Sequence, residues 1–373
     1  MNCRLCVVLL TLSVFHHFAS AQPAINIAPA GNQSVLFHTI TPTNLLLQST
    51  TNVASSNWVT ATEAVYVSAA VVSNAAPAKF FRLIVTNPPP GMVMIPAGPF
   101  TMGNVTGDSD ILDAIPTNVQ VSAFFMDANL VSLGQWQTIY SNANATGYTF
   151  ANAGAGQATH PPVHSVNWFD CVKWCNARSQ QAGLAPVYFT DAGFTAVFTN
   201  GDAGTTVFAK WTADGFRLPT EAEWEKAARG GLNGRRFPWG NLISESQANY
   251  IGATNLYSYD LGPTGTNALG LAGGFPCTTP VATFDVNGYG LTDMAGNVFA
   301  WCWDWYGGPP YGNDSPYLGG TDPRGPAQTA NRRVERGGSW GFGNAAAARV
   351  GARNRFDPAL NPNTTGFRCV RGL

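Results

Sequence analysis

The sequence predicts an α+β protein: a large domain low in regular structure, preceded by a small all-β module. Three observations lead there. Forty glycines and 25 prolines make up about 17% of the 373 residues, against a usual ~12%. Only three helices are readable in the whole chain, set among short β-type runs and long loops. Ten of the eleven tryptophans lie beyond residue 91, so the aromatic core belongs to the later part. At 45% apolar and 12% aromatic the chain buries a sizeable core, which excludes disorder. Twenty basic and 21 acidic residues, without a long run of either, exclude a nucleic-acid or anionic-membrane partner recruited by bulk charge.

Residues 1–21 read as a secretory signal. Arg4 supplies the positive end, Val7 to Phe15 the apolar stretch, and Ala19-Ser20-Ala21 the cleavage site. No stretch approaches the ~20 apolar residues of a transmembrane helix. The expected mature chain is exported, not transmembrane, and keeps Cys171, Cys175, Cys277, Cys302 and Cys369. In an oxidising compartment five cysteines allow at most two bridges and leave one thiol; buried unpaired thiols are the alternative.

Residues 22–87 form the expected small β module. Leu45-Leu46-Leu47, Val65-Tyr66-Val67 and Phe80–Val85 are its β-type runs, separated by Ser- and Asn-rich turns. Residues 88–91, Pro-Pro-Pro-Gly, read as an extended linker, and 92–373 as the main domain. There, Ser132 caps a predicted helix running to about Asn142, and Asn167 a second from Trp168 to about Ala182, stopped by Gly183. Thr220-Glu221-Ala222-Glu223 is a capping box opening a third, ended by Gly230. Val281–Phe284 and Asn297–Trp303 read as strands. Gly-rich loops of this length require pinning by disulfides, ions or aromatic packing.

The inventory excludes several chemistries. The mature chain holds three histidines, His38, His160 and His164, so neither a Ser-His-Asp triad nor a His-rich zinc site fits in the last 200 residues. Pro161-Pro162 prevent His160 and His164 from sharing a helix face. No phosphate-binding glycine pattern stands between a strand and a helix. Trp301-Cys302-Trp303-Asp304-Trp305 suits sugar stacking in isolation, but core packing is the expected role in so aromatic a domain.

Taken in order, the segments resemble the formylglycine-generating enzyme family, the sulfatase-modifying factors. The series runs from Met92–Gly103 through Pro162-Val163, Val166–Asp170, Phe216–Glu225 and Phe237–Asn241. It continues with Asn287–Leu291, Asp293–Val298, Arg336–Trp340 and Gly366–Cys369. The resemblance covers about residues 91–371 and implies a variant of the C-type-lectin architecture. It also implies a Cys175–Cys369 disulfide and, more weakly, a Cys277–Cys302 pair.

Enzymes of that family carry two cysteines shortly after the Gly-Gly-Ser segment, which bind copper(I), a soft ion suited to thiolates. The corresponding places hold Phe342 and Ala347. Copper is therefore not expected, and no catalytic residue is assigned. Calcium is the ion the resemblance implies. Asp293 with the carbonyls of Gly296 and Val298 matches one family site, whose usual acidic partner is replaced by Ala300. Asn249 and the Tyr250 carbonyl match part of a second, where Gly273 replaces an aspartate. Calcium prefers six to eight oxygens with carboxylate charge, so weakened sites, at most one occupied, are expected.

The function this implies is binding of a peptide, protein or glycan, with Ser339, Trp340, Phe342, Arg349 and Arg353 near the ancestral substrate cleft. For Arg349, Arg353 and Arg355 two roles stay open: contact with anionic or peptide groups, or support of loop carbonyls. The alternative function is an enzyme, either an oxidase recruiting Cys302 or Cys277, or a cysteine-independent relative of the siderophore-maturation type.

Overall fold

The structure, a computed structural model, describes the strands of residues 25–85 together with residues 88–307, 319–326 and 331–373. The predicted signal, residues 1–21, lies outside the described residues.

The N-terminal strands are β1 (Ile25–Ala30), β2 (Gln33–His38), β3 (Leu45–Thr50), β4 (Val59–Thr60), β5 (Val65–Tyr66), β6 (Ala69–Ser73) and β7 (Phe80–Val85). They form two antiparallel sheets, β1-β2-β6-β5 and β4-β3-β7. Residues 88–91 do not run extended as expected. The Met92 N–H donates to the Pro89 carbonyl at 2.9 Å, and Gly91, at φ +76°, supplies the left-handed residue that closes the turn.

The main domain opens with β8 (Met92–Ile95), β9 (Gly98–Met102), β10 (Thr117–Val121) and β11 (Phe124–Asp127). Two helices follow, α1 (Leu133–Ala145) and α2 (Trp168–Gln181), then β12 (Tyr188–Phe189), β13 (Phe208–Ala209) and α3 (Glu221–Arg229). The remainder is loop punctuated by β14 (Ile251–Gly252), β15 (Gly265–Thr266), α4 (Ala268–Ala272) and β16 (Phe299–Trp305). Last come β17 (Gly320–Thr321), β18 (Arg333–Arg336), α5 (Asn344–Ala347), β19 (Asn354–Phe356), β20 (Thr365–Gly366) and β21 (Val370–Gly372). The sheets are small: β17-β10-β9, β21-β11-β8 and β19-β18-β16-β20. This is the α+β architecture of long loops on short strands. Among the described residues no helix is long and apolar enough to cross a membrane.

The three helix caps hold as read. Ser132 Oγ, Asn167 Oδ1 and Thr220 Oγ1 each accept the N–H of the third helical residue, and Glu223 returns the bond to the Thr220 N–H at 2.8 Å. Val281–Phe284 is not a strand. Ala282 sits at φ +62° and gives its N–H to the Asp293 carboxylate at 3.0 Å, leaving no ladder to join. The later strand starts two residues beyond its predicted start, at Phe299.

Two large apolar clusters make up most of the described core, beside smaller ones around Phe237 and Tyr148. In the first, Trp136 of α1 and Trp174 of α2 stack 5.9 Å apart at 2°, with Phe367 edge-on to Trp174 at 5.2 Å. In the second, Trp224 of α3 packs with Leu291, Met294 and Val334. The Trp301–Trp305 run serves packing: Trp301 is fully buried and donates to the Val166 carbonyl at 3.2 Å. The Arg333 guanidinium lies 3.8 Å from the Trp168 ring and 3.6 Å from that of Trp305.

Candidate functional site

The loop after β18 is shaped by two glycines. Gly337 and Gly338 have φ of +99° and +76°. A Cβ on Gly338 would meet the Ala347 and Ala348 backbone at 2.9–3.0 Å, so no larger residue fits. The turn buries Ser339, whose Oγ accepts the Phe342 N–H at 3.1 Å. Trp340 is anchored through its backbone N–H to the Asn297 carbonyl at 2.8 Å and through Nε1–H to the Asn363 carbonyl at 3.2 Å. Its ring meets Phe275 edge-on at 5.3 Å. Phe275 is 75% exposed and Phe342 59% exposed, the latter 6.4 Å from the Phe299 ring. Phe275 and Phe342 thus expose aromatic surface on either side of a buried Trp340, which follows the Gly-Gly-Ser turn. Sequence reading missed Phe275; an aromatic between Gly273-Gly274 and Pro276 was its only signal.

Arg349 and Arg353 are placed otherwise than expected. Arg349 makes two bonds to Asp110, 2.9 and 2.6 Å, and donates to the Ala346 carbonyl. That bonding is the main reason the Asp110 carboxyl lies below its ordinary pKa, against the opposing effect of burial. Arg353 is bidentate to Glu221 at 2.8 and 3.0 Å and donates to the carbonyls of Asp113 and Gly307. Its side chain is fully buried, as is that of Glu221. Both arginines are committed inside the domain, so the ligand-contact role expected of them is corrected: desolvated charges take carboxylate partners. Arg355 donates to the Tyr306 hydroxyl at 2.9 Å.

A buried acid–arginine network extends from there. Arg336 bonds Glu225 and the Val350 and Ala352 carbonyls, Arg229 pairs with Glu225 at 2.6 Å, and Asp304 caps α3 through the Glu221 N–H at 2.7 Å. Burial pushes the Asp304 carboxyl well up, aided by its neighbour Glu221. In the adjoining sheet Glu335, 1% exposed, accepts a bond from Asn354 at 2.8 Å, and burial raises its carboxyl to about 8.

All five cysteines of the domain are buried free thiols. Burial raises the thiols of Cys171, Cys175 and Cys302 well above their usual value, which disfavours thiolates. Cys175 Sγ and Cys369 Sγ lie 3.5 Å apart, whereas the Cys302 thiol faces the Ala300 carbonyl at 3.9 Å. Phe342 and Ala347 offer a phenyl ring and a methyl group, neither of them a metal ligand, so these residues do not fit copper.

The calcium-type positions are ordered but poor in charge. The Asp293 carboxylate already accepts from the Ala282 N–H and the Thr292 hydroxyl at 3.0 Å and from Asn297 Nδ2–H at 3.3 Å. Gly296 packs so closely on Asn249 that a Cβ would lie 2.3 Å from the Asn249 carbonyl oxygen. Val298 is buried beside it, and Ala300 adds only a methyl. Asn249 is fully buried; its Nδ2–H donates to the Cys277 carbonyl at 2.8 Å, while its Oδ1 has no hydrogen-bond partner. That oxygen fits a cation ligand; the Tyr250 hydroxyl donates to Asp260 at 2.5 Å and takes no part in the match, which rests on the Tyr250 carbonyl. Among the described residues no three His, Cys, Asp or Glu side chains group to hold a metal. The Asp293 set thus brings one carboxylate that already holds three donors, and the Asn249 set one unpartnered oxygen without a carboxylate, against the six to eight oxygens calcium prefers.

Comparison with known proteins agrees with this geometry. Residues 80–373 match the sulfatase-modifying factor enzyme 1-like domain. A formylglycine-generating enzyme of Thermomonospora curvata is 32% identical over 296 residues, covering 75% of this chain and 93% of its own. That of Bos taurus is also 32% identical, covering 76% and 75%. Among solved structures, Treponema denticola variable protein 1 superposes with a TM-score of 0.57 at 28% identity, covering 76% of this chain and 95% of its own. The ordered motifs, the sparse α+β fold and these matches agree: the chain belongs to the sulfatase-modifying factor family.

Proposed function

We propose that this is an exported, ligand-binding member of the family without the copper–thiolate centre, taking a peptide, protein or glycan against the Phe275–Phe342 surface. One observation carries the reading: a phenyl ring exposed at residue 342 and a methyl at residue 347, where the oxidase chemistry needs two thiolates. The burial of Cys302 and Cys277 supports it, since neither thiol is open to a substrate cysteine, and burial further disfavours the Cys302 thiolate. Exposed aromatic side chains such as Phe275 and Phe342 are the usual anchors of a binding surface.

The test is a copper(I) titration of the purified mature chain by chelator competition, run beside an assay for oxidation of a sulfatase-type cysteine peptide. Neither stoichiometric binding nor turnover is expected. Phe342→Ala should cut binding to arrayed peptides or glycans at least tenfold while leaving the denaturation midpoint in place. One-to-one copper uptake with peptide oxidation would overturn the proposal in favour of the oxidase.

A further inference from the structure

We propose that the Glu335 carboxyl is a proton-operated latch in the sheet beneath the Phe275–Phe342 surface: protonated, it keeps the sheet closed, and ionised, it loosens the strands on which Phe342 rests. Glu335 lies in β18, an inner strand of the β19-β18-β16-β20 sheet, and is 1% exposed. The latch itself does not depend on the binding function proposed above. Its consequence, ligand capture that weakens in alkaline medium, rests on that function.

Register places the carboxyl. Val334 packs into the second large apolar cluster, so Glu335, one residue on, faces the other side of the sheet. Its cross-strand partners there are Trp301 of β16 and Asn354 of β19. Phe299, two residues before Trp301, shares that face; it pairs with Thr365 of β20 and lies 6.4 Å from the Phe342 ring. Val166 and Trp168 cover the face. The Val166 carbonyl accepts from Trp301 at 3.2 Å, and the Trp168 ring lies 3.8 Å from the Arg333 guanidinium.

Nothing there compensates a charge. Asn354 Nδ2–H donates to Glu335 Oε2 at 2.8 Å, while Oε1 has no partner. The Thr365 hydroxyl is fully buried and close enough to act on the carboxyl, yet its Oγ1 has no well-formed bond either. A proton on Oε1 lets the acid donate to Thr365 Oγ1, the bond both atoms lack. The ionised carboxylate would instead sit in the core without a cation. Charged and titratable groups on the surrounding elements are engaged elsewhere. Arg333, two residues back on β18, donates to the Trp303 carbonyl and lies over the Trp168 and Trp305 rings. Arg355 of β19 donates to the Tyr306 hydroxyl, and Asp357 beyond it accepts from the Ala359 N–H at 3.0 Å. Asp170 and Lys173 of α2 pair with each other at 3.3 Å. His164 Nδ1 and the Ser165 hydroxyl are bonded at 3.0 Å, and burial lowers the imidazole pKa. Burial, opposed by Thr365 and Asn354, raises the Glu335 carboxyl from an ordinary 4.5 to about 8. Because the folded group holds its proton more tightly than the unfolded one, its contribution to stability is complete below about 4.5 and is lost as pH rises through about 8.

The experiment compares the mature protein with Glu335→Gln, which keeps the shape and a donor of the protonated acid. Carbon-13 at the glutamate δ-carboxyl is followed by NMR, a label that leaves the buried Asp304 silent. One glutamate resonance titrating near pH 8 is expected in the wild type and is missing from the variant. Between about pH 6 and about pH 9 the wild-type denaturation midpoint should fall relative to that of Glu335→Gln. At about pH 9 the Phe299 and Thr365 amides, which bond the Thr364 and Pro362 carbonyls, should exchange faster in the wild type than in the variant. Should the variant fail to fold, the wild-type titration decides alone. Glutamate carbons that all titrate below about pH 6, parallel pH profiles of the two midpoints, or equal amide exchange would overturn the proposal. No measurement uses a ligand, so failure here is distinguishable from failure of the binding surface, which Phe342→Ala tests.

Discussion

Arg353 illustrates what decides a side chain's role at the scale of one residue. Its guanidinium spans Glu221 and two loop carbonyls with the side chain fully buried. Arg353→Ala would leave the buried Glu221 with Arg336 at 3.4 Å as its remaining cationic partner, and breaking a buried pair costs up to about 3–5 kcal/mol. A urea midpoint lowered accordingly is the expected result; a ligand-contact arginine would instead lose binding and keep its midpoint. Arg349 is also buried, but its partner Asp110 is about half exposed, so water screens part of that pair. The Arg-rich tail was legible in the sequence as a feature, but not as an interior one. Burial depends on carboxylates at Glu221 and Asp110, 132 and 239 residues away in the chain.

The helix is the element the sequence describes best, because caps act over three residues. The α3 capping box is complete, and its Glu223 is additionally gripped by Arg217 through two 2.6 Å bonds. Gly230 ends the helix at φ +56°, where a Cβ would meet the Gly288 nitrogen at 2.8 Å. Thr220→Ala should cost about 1 kcal/mol, within the usual 0.5–2 range for a lost cap, read as a lower thermal midpoint. Short strands are less legible. Val281–Phe284 has β-type composition, yet its backbone bonds to a side chain and not to a neighbouring strand. Strand pairing lies outside the local window, so composition alone misplaces such runs.

At the scale of the molecule, α2 meets the C-terminal strand through Cys175 and Cys369, 194 residues apart and 3.5 Å between sulfurs. We propose that export joins them. In the chain-entropy model a loop of that size stabilises by roughly 5 kcal/mol. The oxidised mature chain, denatured without reductant, should then show fewer than five reactive thiols. Cys175→Ser should lower the denaturation midpoint only under oxidising conditions. Five reactive thiols in the unreduced chain would remove the proposal.

The family, the α+β class, the three helices and their caps were determined by the sequence itself, since each depends on ordered motifs or on bonds a few residues long. Phe342 and Ala347 at the thiol positions were equally plain, because residue identity needs no fold. Only the tertiary structure decided which arginines are interior and that the exposed Phe275 packs edge-on against the buried Trp340 ring. Those outcomes turn on desolvation and on contacts between distant segments. A one-dimensional pattern records neither until the chain has closed around them.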